Sequence, residues 1–111
     1  MLPASVKVLV CTAPQDMRAS FDTLAAVVRD VLKAEPQSGA LYVFVGKRPT
    51  RCKVLWWDRN GYVLLYKRLH RSLFVRPQAV NGTRAVSIDG AALHQLLSGV
   101  AKEEKRRGLL Q

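Results

Sequence analysis

Carboxylates are scarce in this chain: eight Asp and Glu stand against 18 Lys and Arg, for a formal net charge of +10. A metal-dependent nuclease or hydrolase needs acids that converge, and few are available. Apolar runs are short as well. None approaches the roughly 20 residues of a membrane-spanning helix, and Val6 to Val10 is too brief for a signal-peptide core and has no basic segment before it. These absences predict a protein without a membrane, cytoplasmic and free or associated with the nucleoid. Only two cysteines occur, Cys11 and Cys52, without the close spacing of a metal motif, and they read as buried apolar residues rather than a disulfide. There is no phosphate-cradling glycine loop, no nucleophile elbow, no repeat and no low-complexity tract. His70 and His94 have no Cys, Asp or Glu at ligand spacing, and Asp16, Asp58 and Asp89 lie in different elements. The expectation is a protein that is not an enzyme, with no catalytic residue, no metal and no cofactor.

What the chain does contain is enough apolar material for one core. With 49% hydrophobic residues in 111, it predicts a single domain over 1–101, followed by a basic tail over 102–111 that frays. Val6 to Cys11 is a β-branched run ended by Thr12-Ala13-Pro14. Asp16 reads as the cap of a helix reaching Lys33, with Met17, Phe21, Leu24, Val28 and Val31 on its apolar stripe and Glu35-Pro36 closing it. Three strand candidates follow, at Leu41 to Val45, Cys52 to Trp57 and Tyr62 to Leu69, joined by Gly46-Lys47-Arg48-Pro49-Thr50 and Asp58-Arg59-Asn60-Gly61. Connections this short predict an antiparallel meander. A further strand at Arg84 to Ile88 precedes a second helix, Ala91 to Val100, capped by Asp89. The fold class expected is α+β: an antiparallel sheet of four or five strands, one main helix packed on it, and a short C-terminal helix.

Charge is concentrated in the middle of that sheet. Between Lys47 and Arg76 nine Lys or Arg residues face a single acid, Asp58, so this third of the chain carries net +8. Trp56, Trp57, Tyr62, Tyr66 and Phe74 are interleaved with them. If Asn60-Gly61 is a two-residue turn, Arg59 pairs with Tyr62, Trp57 with Leu64, Leu55 with Tyr66, Lys53 with Arg68 and Arg51 with His70. One face then carries Arg51, Lys53, Trp57, Arg59, Tyr62, Tyr66 and Arg68. The other, with Cys52, Val54, Trp56, Val63, Leu65, Lys67 and Leu69, is the expected core face. A four-residue loop from Asp58 to Gly61 keeps the same partition. Cations on a β-surface neutralise phosphates, and exposed aromatic rings stack on bases. The nucleic-acid-binding candidates are Lys47, Arg48, Arg51, Lys53, Arg59, Arg68 and Arg71 for phosphate, with Trp57 and Tyr66 adding contact area. A protein partner with an acidic surface, or a solvated basic face guarding a strand edge, accounts for the same pattern.

Ordered blocks add a second line. Asp16-Met17-Arg18, Ser20-Phe21-Asp22, Leu41-Tyr42-Val43-Phe44, Lys53-Val54-Leu55-Trp56-Trp57-Asp58, Gly61-Tyr62 and Tyr66-Lys67-Arg68-Leu69 together span most of Val6 to Pro77. Their order and spacing resemble the small accessory protein, often called TnpB, from the second reading frame of the insertion sequence sixty-six family, which is distinct from the RNA-guided nuclease sharing that label. The resemblance implies a helper role in transposition, with cutting and joining left to a separate transposase that becomes a partner beside DNA. It carries over no catalytic or DNA-contacting residue. His70 departs from the family, which commonly has an acid after Lys-Arg-Leu. The blocks also have a plain structural reading, in which Asp16 caps a helix and Arg18 reaches Asp22.

Overall fold

A computed structural model describes residues 6–102. The elements in chain order are β1 (Val8–Cys11), α1 (Phe21–Asp30), β2 (Leu41–Val45), β3 (Arg51–Asp58), β4 (Gly61–Arg68), β5 (Ser72–Leu73), β6 (Ala85–Ile88), α2 (Gly90–Ser98) and β7 (Val100–Ala101). Five strands form one sheet in the order β4-β3-β2-β1-β6, and β5 pairs with β7 in a separate two-stranded ladder. The fold is α+β, as read from the sequence. Of the basic tail, all but Lys102 lies outside the described residues.

The sheet is mixed where the sequence reading had it antiparallel. β2-β3-β4 is the expected meander, and β6 runs antiparallel to β1, but β1 and β2 pair in parallel, Val8 opposite Leu41 and Val10 opposite Val43. The reason is the connection between them. A strand that returns through a helix comes back in its original direction, and α1 is that helix.

Both faces of the sheet are covered except along the Leu65–Arg68 half of edge strand β4. All five residues of β2 are buried, as expected of a central strand that has no solvent face. On one side Leu24, Ala25 and Val28 of α1 pack with Cys11, Tyr42, Phe44 and Leu55. On the other, Leu93 of α2 and Phe74 pack with Val8, Val10, Val43, Val45, Cys52 and Val54. Burying each large aliphatic side chain contributes about 1.5–3 kcal/mol, so neither layer is dispensable. Buried polar atoms are matched: the Tyr42 hydroxyl donates to the Glu35 carbonyl at 2.8 Å, and among the described residues no buried side-chain N or O atom lacks a partner.

Two local expectations change. Asp16 does not cap α1, which starts at Phe21 after Ser20 and ends at Asp30 rather than Lys33. Asp16 instead closes its own turn, accepting the Arg18 amide at 2.9 Å. The hairpin turn is Arg59-Asn60, with positive φ (56°) at Arg59, and Gly61 belongs to β4 opposite Asp58. Pairing therefore shifts by two residues, giving Trp57 opposite Tyr62, Lys53 opposite Tyr66 and Arg51 opposite Arg68. An even shift preserves the two faces. What it does not preserve is the assignment of one face to solvent, because α1 lies over Leu55, Tyr62 and Leu64. The cap expected at Asp89 is present: its carboxylate accepts the Ala92 amide at 2.8 Å.

Candidate nucleic-acid interface

Three chain segments meet at one end of the sheet, where β1, β2 and β4 finish and β3 begins. The segment after β1 is held to the end of β2 by the Gln15 amide, which donates to the Val45 carbonyl at 3.0 Å. The segment after β4 is held to the β2–β3 loop by the Leu69 amide, which donates to the Thr50 carbonyl at 2.8 Å. Gly46 makes this closeness possible: a Cβ there would stand 2.7 Å from Met17 Cγ and 3.1 Å from the Arg48 carbonyl. Between the segments lies an open cleft of about 1020 Å³.

Cations ring the cleft. Lys47, Arg48, Arg51 and Arg68, four of the cations named from the sequence, line it; Arg18 joins them, and His70 stands beside them. All six are exposed. Less exposed residues, Gln15, Met17, Gly46, Thr50 and Leu69, form the deeper lining. Asp16 is the one acid at the site. Its carboxylate takes Arg18 in a forked pair, Nη2 to Oδ2 at 2.7 Å and Nε to Oδ1 at 3.0 Å, in place of the Arg18–Asp22 contact anticipated. The Arg18 side chain and amide hold the Asp16 pKa down at about 2 against an ordinary 3.8. With 91% of the Arg18 side chain exposed, solvent screens the pair, and its role is orientation more than stability.

Among the described residues this is the only salt bridge, so Lys47, Arg48, Arg51 and Arg68 have no carboxylate partner there. Arg51 and Arg68 stand directly opposite each other across the hairpin, and like charges in that position destabilise a sheet. Arg51 donates to the Tyr66 hydroxyl at 3.1 Å, which fixes its guanidinium beside the cleft.

The remaining sequence candidates divide. Lys53 is only 6% exposed; its ammonium donates to the Ala19 carbonyl and sits 4.6 Å from the Tyr66 ring centroid. Its ammonium is engaged by the segment leading into α1 and by the Tyr66 ring rather than turned into the cleft lining. Tyr66 is 49% exposed and lies between Lys53 and Arg51. Trp57 packs edge-to-face on Tyr62, with ring centroids 5.1 Å apart. Trp57 and Arg59 lie at the far end of the hairpin, six and eight residues past Arg51 and roughly 20 Å or more from the cleft. Arg71 is exposed just beyond it. Two further cations of the basic third hold backbone: Lys67 donates to the Leu97 carbonyl at 2.7 Å, and Arg76 to the Thr12 carbonyl at 3.3 Å. Sequence reasoning missed Arg18 because it lies 29 residues before Lys47. The signal available was its place just past the first strand, where loops of a parallel pair gather.

Asp16, Asp58 and Asp89 do not converge. Asp58 is at the far hairpin end, Asp89 caps α2, and among the described residues no cluster of three His, Cys, Asp or Glu suits a metal. Cys11 and Cys52 are free, buried, and belong to opposite layers. No helix among the described residues is long and apolar enough to cross a membrane.

Fold and cleft together define a small basic α+β domain whose charge is gathered at one end of a covered sheet. The chain belongs to the family described as IS66 Orf2 like protein, whose sequence pattern matches residues 6–107. That is the family resembled by the ordered blocks, and membership associates the chain with an accessory role in transposition of insertion sequences. It is 44% identical over 102 residues to the uncharacterized protein y4hO of Sinorhizobium fredii (strain NBRC 101917 / NGR234), covering 90% of this chain and 87% of the relative. It is 33% identical over 82 residues to the uncharacterized protein y4jC of the same strain, covering 74% and 70%. No solved structure matches the chain.

Proposed function

We propose that this protein is a non-catalytic accessory factor that binds DNA during transposition, with the transposase of the same element as its working partner. The observation that carries the reading is the gathering of Arg18, Lys47, Arg48, Arg51 and Arg68 from three segments around one cleft that holds a single acid. Mutual repulsion there costs stability, and an anionic ligand relieves it. Lys47, Arg48, Arg51, Arg68 and Arg18 are the phosphate contacts in this reading, with Arg71 flanking. Tyr66 positions Arg51, Lys53 supports the loop from beneath, and Trp57 and Arg59 stand outside the site.

The test is a fluorescence-anisotropy titration against labelled element-end duplex and a scrambled duplex over a salt series. If about five phosphates are neutralised, the logarithm of the binding constant falls with the logarithm of salt at a slope of about −4. Arg48→Glu with Arg51→Glu abolishes binding under this reading. Absence of binding even at low salt overturns it. The same variants then belong in a transposase pull-down, where loss of capture marks the cleft as a docking surface for an acidic face.

A further inference from the structure

We infer that the cleft takes unpaired nucleotides and binds single-stranded DNA in preference to duplex. The inference rests on the DNA-binding reading and narrows its substrate. Its first support is shape. A cleft of about 1020 Å³ sits at the upper end of ligand-pocket size and is concave. Duplex DNA presents its phosphates on convex ridges and keeps its bases stacked within, so it meets the rim of such a cleft and leaves the interior empty.

The second support is how polarity is layered with depth. The rim is exposed and cationic, whereas the less exposed lining is uncharged, with Met17, Leu69 and Gly46 beside the polar Gln15 and Thr50. An unpaired nucleotide has the matching order, a charged phosphate outside and a flat apolar base face inside. Arg51 and Arg68 stand side by side on adjacent strands, and guanidinium planes accept bases by stacking as well as phosphates by charge. The Tyr66 hydroxyl holds one of them in orientation. A protein built only to grip duplex phosphate would gain nothing from an uncharged, partly apolar interior.

The third support is what the fold withholds. An open sheet face is the usual platform for single strands, and here α1 and α2 cover the faces of the central strands, leaving only the Leu65–Arg68 half of edge strand β4 open, beside the cleft. Concavity is found at the sheet's end, where Gly46 lets the Met17 segment and the β2–β3 loop approach each other.

The experiment compares the full chain's affinity for a labelled single strand of about 12 nucleotides and for the duplex of the same sequence, at two salt concentrations. One well-seated base is worth a preference of about tenfold or more for the single strand. Met17→Ala is expected to weaken single-strand binding several-fold with the salt slope and duplex binding unchanged. Met17→Gln, which keeps the volume and adds polarity, is expected to do the same should the alanine variant fold poorly. Equal or tighter binding of duplex, or single-strand binding indifferent to a folded Met17 variant, overturns the inference and leaves the DNA-binding reading standing. Failure of the wild type to bind either form overturns both.

Discussion

Lys53 illustrates how a residue's role is decided by what lies over it. Alternation along β3 put it on the charged face, yet its ammonium is consumed by the Ala19 carbonyl and the Tyr66 ring. Lys53→Ala removes the stem's packing and leaves that carbonyl without its donor, at an expected cost of about 1–3 kcal/mol in urea denaturation. The salt slope of DNA binding is expected to stay as in the wild type, and a lower slope would return Lys53 to the phosphate contacts. Asp16→Asn is the opposite kind of change. Asparagine keeps an acceptor for the Arg18 amide while removing the cleft's one negative charge, so DNA binding tightens with little change in melting temperature. Asp16 also carries a pH signature. Its folded pKa lies below its ordinary 3.8, so its contribution is present above that value and is lost as pH falls toward 2. For Cys52 the sign is reversed. Burial raises its thiol from 9.0 to about 12, so the unfolded chain releases that proton first and folded stability declines as pH climbs through this window. A thiol reagent near neutral pH is accordingly expected to label neither cysteine in the folded protein and both after unfolding.

At the scale of elements, the helix ends make contrasting predictions. Asp89→Ala removes a formed cap and is expected to cost about 1 kcal/mol by thermal or urea denaturation, whereas Ser20→Ala costs little because Ser20 makes no side-chain cap bond. Gly99→Ala is expected to be worse than either. Gly99 follows α2 with φ 75° and ψ −178°, a region closed to other residues, and an added Cβ would collide with Leu69. The legibility of the elements follows from how local their causes are. Leu41–Val45 was readable because an unbroken apolar run between Gly39 and Gly46 has few other homes. The two hairpin strands and the Asp89 cap were readable for similarly local reasons. The start of α1 was not, because an aspartate two residues before an arginine reads like a cap while it closes a turn of its own. The direction of β2 relative to β1 was also misread, although the strand–helix–strand order carried that information. Of the cleft, the four cations near the hairpin were visible as a charge cluster, but Arg18 and His70 enter only through the stitching of three loops.

For the molecule as a whole, charge is the dominant long-range term. A net +8 confined to one third of the chain repels itself, and only one salt bridge relieves any cation among the described residues. Raising salt from about 0.05 to 0.3 M shortens the screening length by a factor of about 2.4 and is expected to raise the melting temperature by a few degrees, with a polyanion doing so at far lower concentration. A melting temperature indifferent to both would count against an unrelieved cationic field. The parallel pairing of β1 with β2 has a consequence in time as well as space. The β3–β4 hairpin brings Arg51 to Arg68 through a two-residue turn, a contact that closes early. Arg18 is brought to them by the docking of β1 on β2, which joins Val8 to Leu41 across a long loop of chain. By loop length the hairpin half of the cleft is expected to close before the Arg18 half, so the complete ring of cations requires β1 docked on β2 as well as the hairpin.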